Sequence, residues 1–173
     1  MLNTGCVQVY TGNGKGKTTA AFGLALRAAG AGLRVFIQQF MKGQPTGELV
    51  ALAPLADRIT VRRCGRDCFI ARAPEPEDVA AARQGLAEAT QAVMSGQYDL
   101  VILDEANVAV YFRLFAVDAL LDMIARKPAH VELVITGRNA DPRLVERADL
   151  VTEMREVKHY YAAGVPARKG IED

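Results

Sequence analysis

At 173 residues, half of them hydrophobic and about a quarter charged, the chain has the size and make-up of one globular domain with a substantial core. A net charge of +1 gives no bulk attraction to nucleic acid or to an anionic membrane. No apolar run approaches the roughly 20 residues of a membrane-spanning helix. No basic-then-apolar leader precedes the first strand pattern, so a cytoplasmic protein is expected.

Cys6-Val7-Gln8-Val9-Tyr10 is short, apolar and β-branched, and reads as a buried strand. Thr11-Gly12-Asn13-Gly14-Lys15-Gly16-Lys17-Thr18-Thr19 follows, and Ala20 to Ala29 then reads as a helix closed by Gly30 and Gly32. Strand, glycine-rich turn and helix are the context of a P-loop. Successive N–H groups in such a turn point into one concavity, and the helix N-terminus adds partial positive charge, so phosphate fits there. Lys17 can reach the terminal phosphates, and the Thr18 hydroxyl can sit on a magnesium or manganese ion. Thr11 stands where the usual pattern has its first glycine; Gly12 lies one place later, and Lys15 is a second cation inside the loop.

Arg34 to Phe40 is a second strand pattern, followed by a loop from Met41 to Glu48 with Gly43, Pro45 and Gly47. Open α/β sheets bind ligands where strands end, so Gln39, Lys42 and Glu48 are site candidates. Ile59 to Arg62 alternates as a short strand. Cys64 and Cys68 have C-x-x-x-C spacing without a second pair; with Cys6 they make an odd count, so reduced thiols are expected. Pro74 to Asp78 reads as the start of a helix that runs to about Met94 and stops at Ser95-Gly96. Tyr98 to Leu103 is an apolar strand that delivers Asp104-Glu105, the acidic pair of a Walker B element. Two carboxylates at the end of a buried strand need a cation, and magnesium shared with Thr18 would supply one; which carboxylate lies closer stays open.

Ala116 to Ala125 reads as a helix, Val131 to Ile135 as a strand ending in Thr136-Gly137-Arg138, and Asp141-Pro142 as a capped helix start. Leu150 to Met154 is the last strand, and Arg155 to Asp173 an ordered loop over the sheet edge. Alternating strands and helices require a parallel sheet with right-handed crossovers. The expected fold is a three-layer α/β/α P-loop domain with about six mainly parallel strands. The residues alone leave three classes open: a transferase with triphosphate as leaving group, a kinase or ATPase acting at the terminal phosphate, and a nucleotide sensor.

TGNGKGKTTAAFG, RAAGAGLRV, QQFMKG with GE, LVILDE, VITGR, ADLVTEM and KHYYAAGVPARKGIED together resemble the P-loop corrinoid adenosyltransferases of the CobA/CobO type, over nearly the whole chain. The loop by itself names only a superfamily; the tail pattern KH-x-x-x-x-GV-x-A-x-x-GIE is far more particular. The resemblance implies transfer of the 5′-deoxyadenosyl group of ATP to the cobalt(I) of a reduced corrinoid, with release of triphosphate, in adenosylcobalamin biosynthesis or salvage. It implies ATP held by Gly12, Asn13, Gly14, Lys15, Gly16, Lys17, Thr18 and Thr19, with Arg27 reaching the triphosphate from the helix. Lys17, Arg27 and Glu105 are the catalytic candidates, and Thr18, Asp104 and Glu105 the magnesium ligands. Phe40, Lys42, Phe69 and Arg138 are candidates for the corrinoid face, Phe69 standing in for a tryptophan of some relatives. An electron donor such as a flavoprotein, and a homodimer, are further implications. Cobalt(I) is itself the nucleophile, so no side chain need attack or act as base.

Overall fold

The computed structural model describes residues 2–42, 47–65 and 74–172. Six strands form one parallel sheet: β1 (Val7–Thr11), β2 (Val35–Phe40), β3 (Ile59–Cys64), β4 (Leu100–Asp104), β5 (Glu132–Thr136) and β6 (Leu150–Glu153), in the order β3-β2-β4-β5-β1-β6. Inner strands of a parallel sheet are covered on both faces, so their sequences are continuously apolar. Every residue of β2 and of β4 is buried.

Alternate residues feed two cores. One face carries Val35, Ile37, Leu100, Ile102 and Val134, packed beneath helix α1 (Lys17–Gly30) and the short α2 (Gly47–Leu52). Ala21, Phe22, Ala25, Ala28 and Ala29 form the buried stripe of α1, at helical spacing. The opposite face carries Val7, Val9, Phe36, Phe40, Val101, Leu103, Leu133 and Ile135. It packs beneath α3 (Pro76–Met94), α4 (Ala106–Tyr111), α5 (Val117–Arg126) and α6 (Pro142–Arg147). Helices on both faces make the expected three layers.

Boundaries follow local chemistry. Helix α3 starts at Pro76 rather than Pro74, because Glu75 and Asp78 form a capping box in which the Glu75 N–H donates to Asp78 Oδ2 over 2.9 Å. Asp99 does not enter β4; its Oδ2 accepts from the Arg34 N–H at 2.9 Å and ties the start of β4 to that of β2. Two short helices were not expected. α2 occupies the end of the stretch read as loop, and α4 forms from Ala-Asn-Val-Ala-Val-Tyr, whose β-branched and aromatic content disfavours a helix. Among the described residues no helix is long and apolar enough to cross a membrane.

Candidate active site

The carboxyl ends of β1, β2, β4 and β5 meet at one edge of the sheet, with the N-terminus of α1 among them. Gly16, at φ +117, turns the chain into α1 and caps it with no side chain, and the first helical turn carries no acid. The helix's leading N–H groups and its positive end therefore face the loop with no capping side chain of the helix's own.

The loop glycines answer to a neighbouring segment. A β-carbon at Gly12 would lie 2.5 Å from the Met154 carbonyl oxygen, and one at Gly14 2.7 Å from the same atom. The chain leaving β6 crosses directly over the loop: the Gly14 N–H donates to Met154 O at 2.6 Å, and the Met154 N–H to Thr11 O at 2.8 Å. The Lys17 side chain folds back onto its own loop, donating to Gly12 O at 2.8 Å and Gly14 O at 2.7 Å. Burial holds its ammonium below the ordinary lysine pKa, with the Glu105 carboxylate pulling the other way.

Asp104, fully buried, is the hub of the edge. Its Oδ1 accepts from the Thr18 hydroxyl at 2.9 Å and the Thr136 hydroxyl at 2.7 Å. Its Oδ2 accepts from Gln39 Nε2 at 3.1 Å and pairs with Lys42 Nζ at 2.8 Å. Glu105 follows in the left-handed region, φ +63, and its N–H donates to Thr136 Oγ1 at 3.1 Å. Desolvation, then the neighbouring Asp104 charge, raise the Glu105 carboxyl above the usual range; Lys42, Lys17 and Arg138 act against them.

A magnesium ion fits this donor set. Thr18 and Asp104 offer hard oxygens in contact with each other, and the buried Gln39 Oε1 has no hydrogen-bond partner among the described residues.

Lys17, Thr18, Asp104 and Glu105 thus come together at one edge, as the motifs predict, and the exposed Arg138 stands close enough to act on Lys17 and Glu105. Of the other candidates, Lys42 joins this edge and several lie apart from it. Arg27 lies in the last turn of α1, exposed, ten residues and therefore about 15 Å along the axis from Lys17, with its charge felt at Tyr10. The structure does not bring it to the loop. Phe40 is fully buried in the core, its ring centroid 5.4 Å from that of Phe115. Lys42 turns onto Asp104. Glu48 lies in the first turn of α2. Phe69 and Cys68 lie outside the described residues. Cys6 and Cys64 are free thiols, and burial pushes the Cys64 thiol up to about 11, which keeps it unreactive. Asn13 and Thr19 are exposed.

Lys15 points away from the concavity. Its Nζ bonds to Ile171 O, to Glu172 Oε1 at 3.2 Å and to the Tyr160 hydroxyl at 3.4 Å. Glu172 also holds Arg168 at 3.1 Å and accepts from the Tyr160 hydroxyl, and these partners, Arg168 first, keep its carboxyl far below the usual range. The Arg168 guanidinium stacks 4.9 Å from the Tyr160 ring centroid. The tail therefore lies on the loop itself, a more specific position than the sheet edge expected. Sequence reasoning also missed Thr136 as a partner of Asp104; its signal was its place at the end of an apolar strand, level with the acidic pair.

The pattern of the ATP:corrinoid adenosyltransferase family BtuR/CobO/CobP matches residues 3–172. The chain is 37% identical over 169 residues to the corrinoid adenosyltransferase of Pseudomonas aeruginosa, covering 97% of this chain and 83% of the relative. It is 38% identical over 170 residues to that of Escherichia coli, covering 97% and 85%. To the corrinoid adenosyltransferase CobA of Salmonella typhimurium it is 37% identical over the same length, again covering 97% and 85%.

Proposed function

This chain belongs to the ATP:corrinoid adenosyltransferase family BtuR/CobO/CobP, and from that premise we propose how its residues divide the work. The enzyme adenosylates corrinoids at the expense of ATP, in cobalamin biosynthesis. In the proposed reaction the cobalt(I) electron pair attacks C5′ of ATP. A cobalt–carbon bond forms, the bond from C5′ to the α-phosphate oxygen breaks, and its electron pair leaves on an intact triphosphate. The protein has then to orient the nucleotide, stabilise the departing charge and exclude water.

The observation that carries this reading is the arrangement around Lys17. Its ammonium is buried at the mouth of an uncapped helix and donates to two loop carbonyls that phosphate oxygens can replace. A charge-assisted contact of this kind is worth roughly 1.5–3 kcal/mol. The N–H groups at the start of α1 take further phosphate oxygens. Gly14 can offer its N–H once Met154 O releases it. Magnesium or manganese held by Thr18 and Asp104, with Glu105 beside them, would neutralise charge on the leaving triphosphate. Glu105 has no base role here, because cobalt supplies the electron pair. The exposed Arg138, next to Gly137 just past the end of β5, is our candidate for contact with the corrinoid. A reduced acceptor calls for an electron donor, such as a flavoprotein, and the reading includes a cytoplasmic homodimer.

The test is incubation with ATP, magnesium and chemically reduced corrinoid. The expected result is a light-sensitive cobalt–carbon product and one triphosphate for each product formed. Corrinoid-independent ADP at an enzyme-like rate, with no adenosylated corrinoid, would establish a kinase or ATPase instead.

A further inference from the structure

Lys42 reaches Asp104 because the backbone aims it there. Met41 adopts φ +58, a left-handed conformation that side-chain-bearing residues seldom take, and its side chain is packed in the core. On the other side Gly65, at φ +136, leaves room for the turn: a β-carbon there would lie 2.9 Å from Met41 Cα and 3.0 Å from Lys42 N. The turn after β2 is therefore pinned between the core and the end of β3, and it directs the next side chain back across the strand ends.

There the ammonium spans two side chains, lying 2.8 Å from Asp104 Oδ2 and 3.4 Å from Thr18 Oγ1. The Thr18 hydroxyl spends its hydrogen on Asp104 Oδ1. Lys42 thus uses the oxygen lone pair of Thr18 and the carboxylate oxygen of Asp104 that a metal ion would use. We infer that Lys42 is the resident counter-ion of this position: it neutralises Asp104 in the nucleotide-free protein and yields its place when metal and ATP arrive together, moving onto the phosphates. The inference rests on the assignment of Thr18 and Asp104 to the cation in the reading above.

The physical argument has two parts. A fully buried carboxylate without a compensating cation is strongly unfavourable, so the empty site needs an internal one. Lysine suits the role, being a compact charge on a flexible four-carbon stem. Two cations then compete for Asp104 Oδ2, and like charges at contact distance repel. The ammonium can leave only if it gains another anion, and the incoming triphosphate is that anion. Metal alone should therefore bind poorly, and metal with nucleotide well.

The experiment measures Mn2+ binding to the full chain by electron paramagnetic resonance, without nucleotide. If the ammonium fills the position in ~90% of molecules, Lys42→Gln raises the apparent Mn2+ affinity about tenfold. Adding Asp104→Asn to that variant should abolish the gain, which locates it. Lys42→Arg keeps the charge and should remain as weak as the parent. Metal-free ATP binding should weaken in Lys42→Gln, since the phosphates lose a cation. An unchanged or lower Mn2+ affinity in folded Lys42→Gln, or an equal gain in Lys42→Arg, would overturn the inference. A Mn2+ gain in a protein that binds no ATP would sink the nucleotide reading and leave the counter-ion role standing; normal ATP binding without the Mn2+ gain would do the reverse.

Discussion

Glu105 sits where its own charge is unwelcome: it is half-buried, held in a left-handed conformation and adjacent to the Asp104 carboxylate. Its folded pKa lies above the unfolded value, so between the two the folded state binds more protons, and stability falls as pH rises from about 4.3 through the folded pKa. Glu105→Gln removes that penalty. The variant's melting temperature should exceed the parent's at neutral pH, with the gap closing below about pH 4.3; a gap that does not vary with pH would contradict this. Legibility at this scale divides by range. Lys17, Thr18 and Asp104 could be read because the spacing of a glycine loop and an acidic strand end carries their chemistry locally. Lys42 was legible as a site residue past a strand end, but its tie to Asp104 was not, nor was the burial of Phe40. Phe40 ends β2, and an inner strand is buried on both faces, so alternation does not tell core from site. Lys42 is aimed by the Met41 backbone, which no residue pattern announces.

The strands and longer helices were readable from periodicity and caps, with shifts of one to three residues. The misses were α2, only six residues long, and α4, whose strand-like composition is overruled by packing Ala106 and Ala109 under the sheet. The same scale gives a contrast between two glycines. Gly14 is pressed by the segment after β6, whereas a β-carbon on Gly23, inside α1, meets nothing within 4 Å. Gly14→Ala should cost about 1–3 kcal/mol and weaken ATP binding, since Met154 must be displaced. Gly23→Ala should stabilise by about 0.5–1 kcal/mol through helix propensity, with ATP binding unchanged. Chemical denaturation and nucleotide titration of the two variants check both; equal effects would mean that the crossing segment does not shape the loop.

Over the molecule as a whole, the Lys15–Glu172 pair joins the loop to a segment more than 150 residues away in sequence. Glu172→Gln removes the charge that gathers Lys15 and Arg168 and leaves Tyr160 with a weaker acceptor. Amide hydrogen exchange across residues 155–172 should accelerate while the strands keep their protection; uniform exchange throughout would show that the tail is not a separate unit. Because the folded carboxyl titrates below the unfolded one, this tie is complete above about pH 4.3 and is lost as the pH falls further. The position of β1 has a consequence for how the protein is made. Among the described residues its neighbours in the sheet are β5 and β6, so the first strand to leave the ribosome must wait for residues 132–153 before it has a strand to pair with. The phosphate loop hangs from that strand and is braced by Met154. A nascent chain halted before residue 132 should carry the entire glycine motif and still fail to retain ATP: competence for the nucleotide is acquired near the end of translation, although its signature is written at the start.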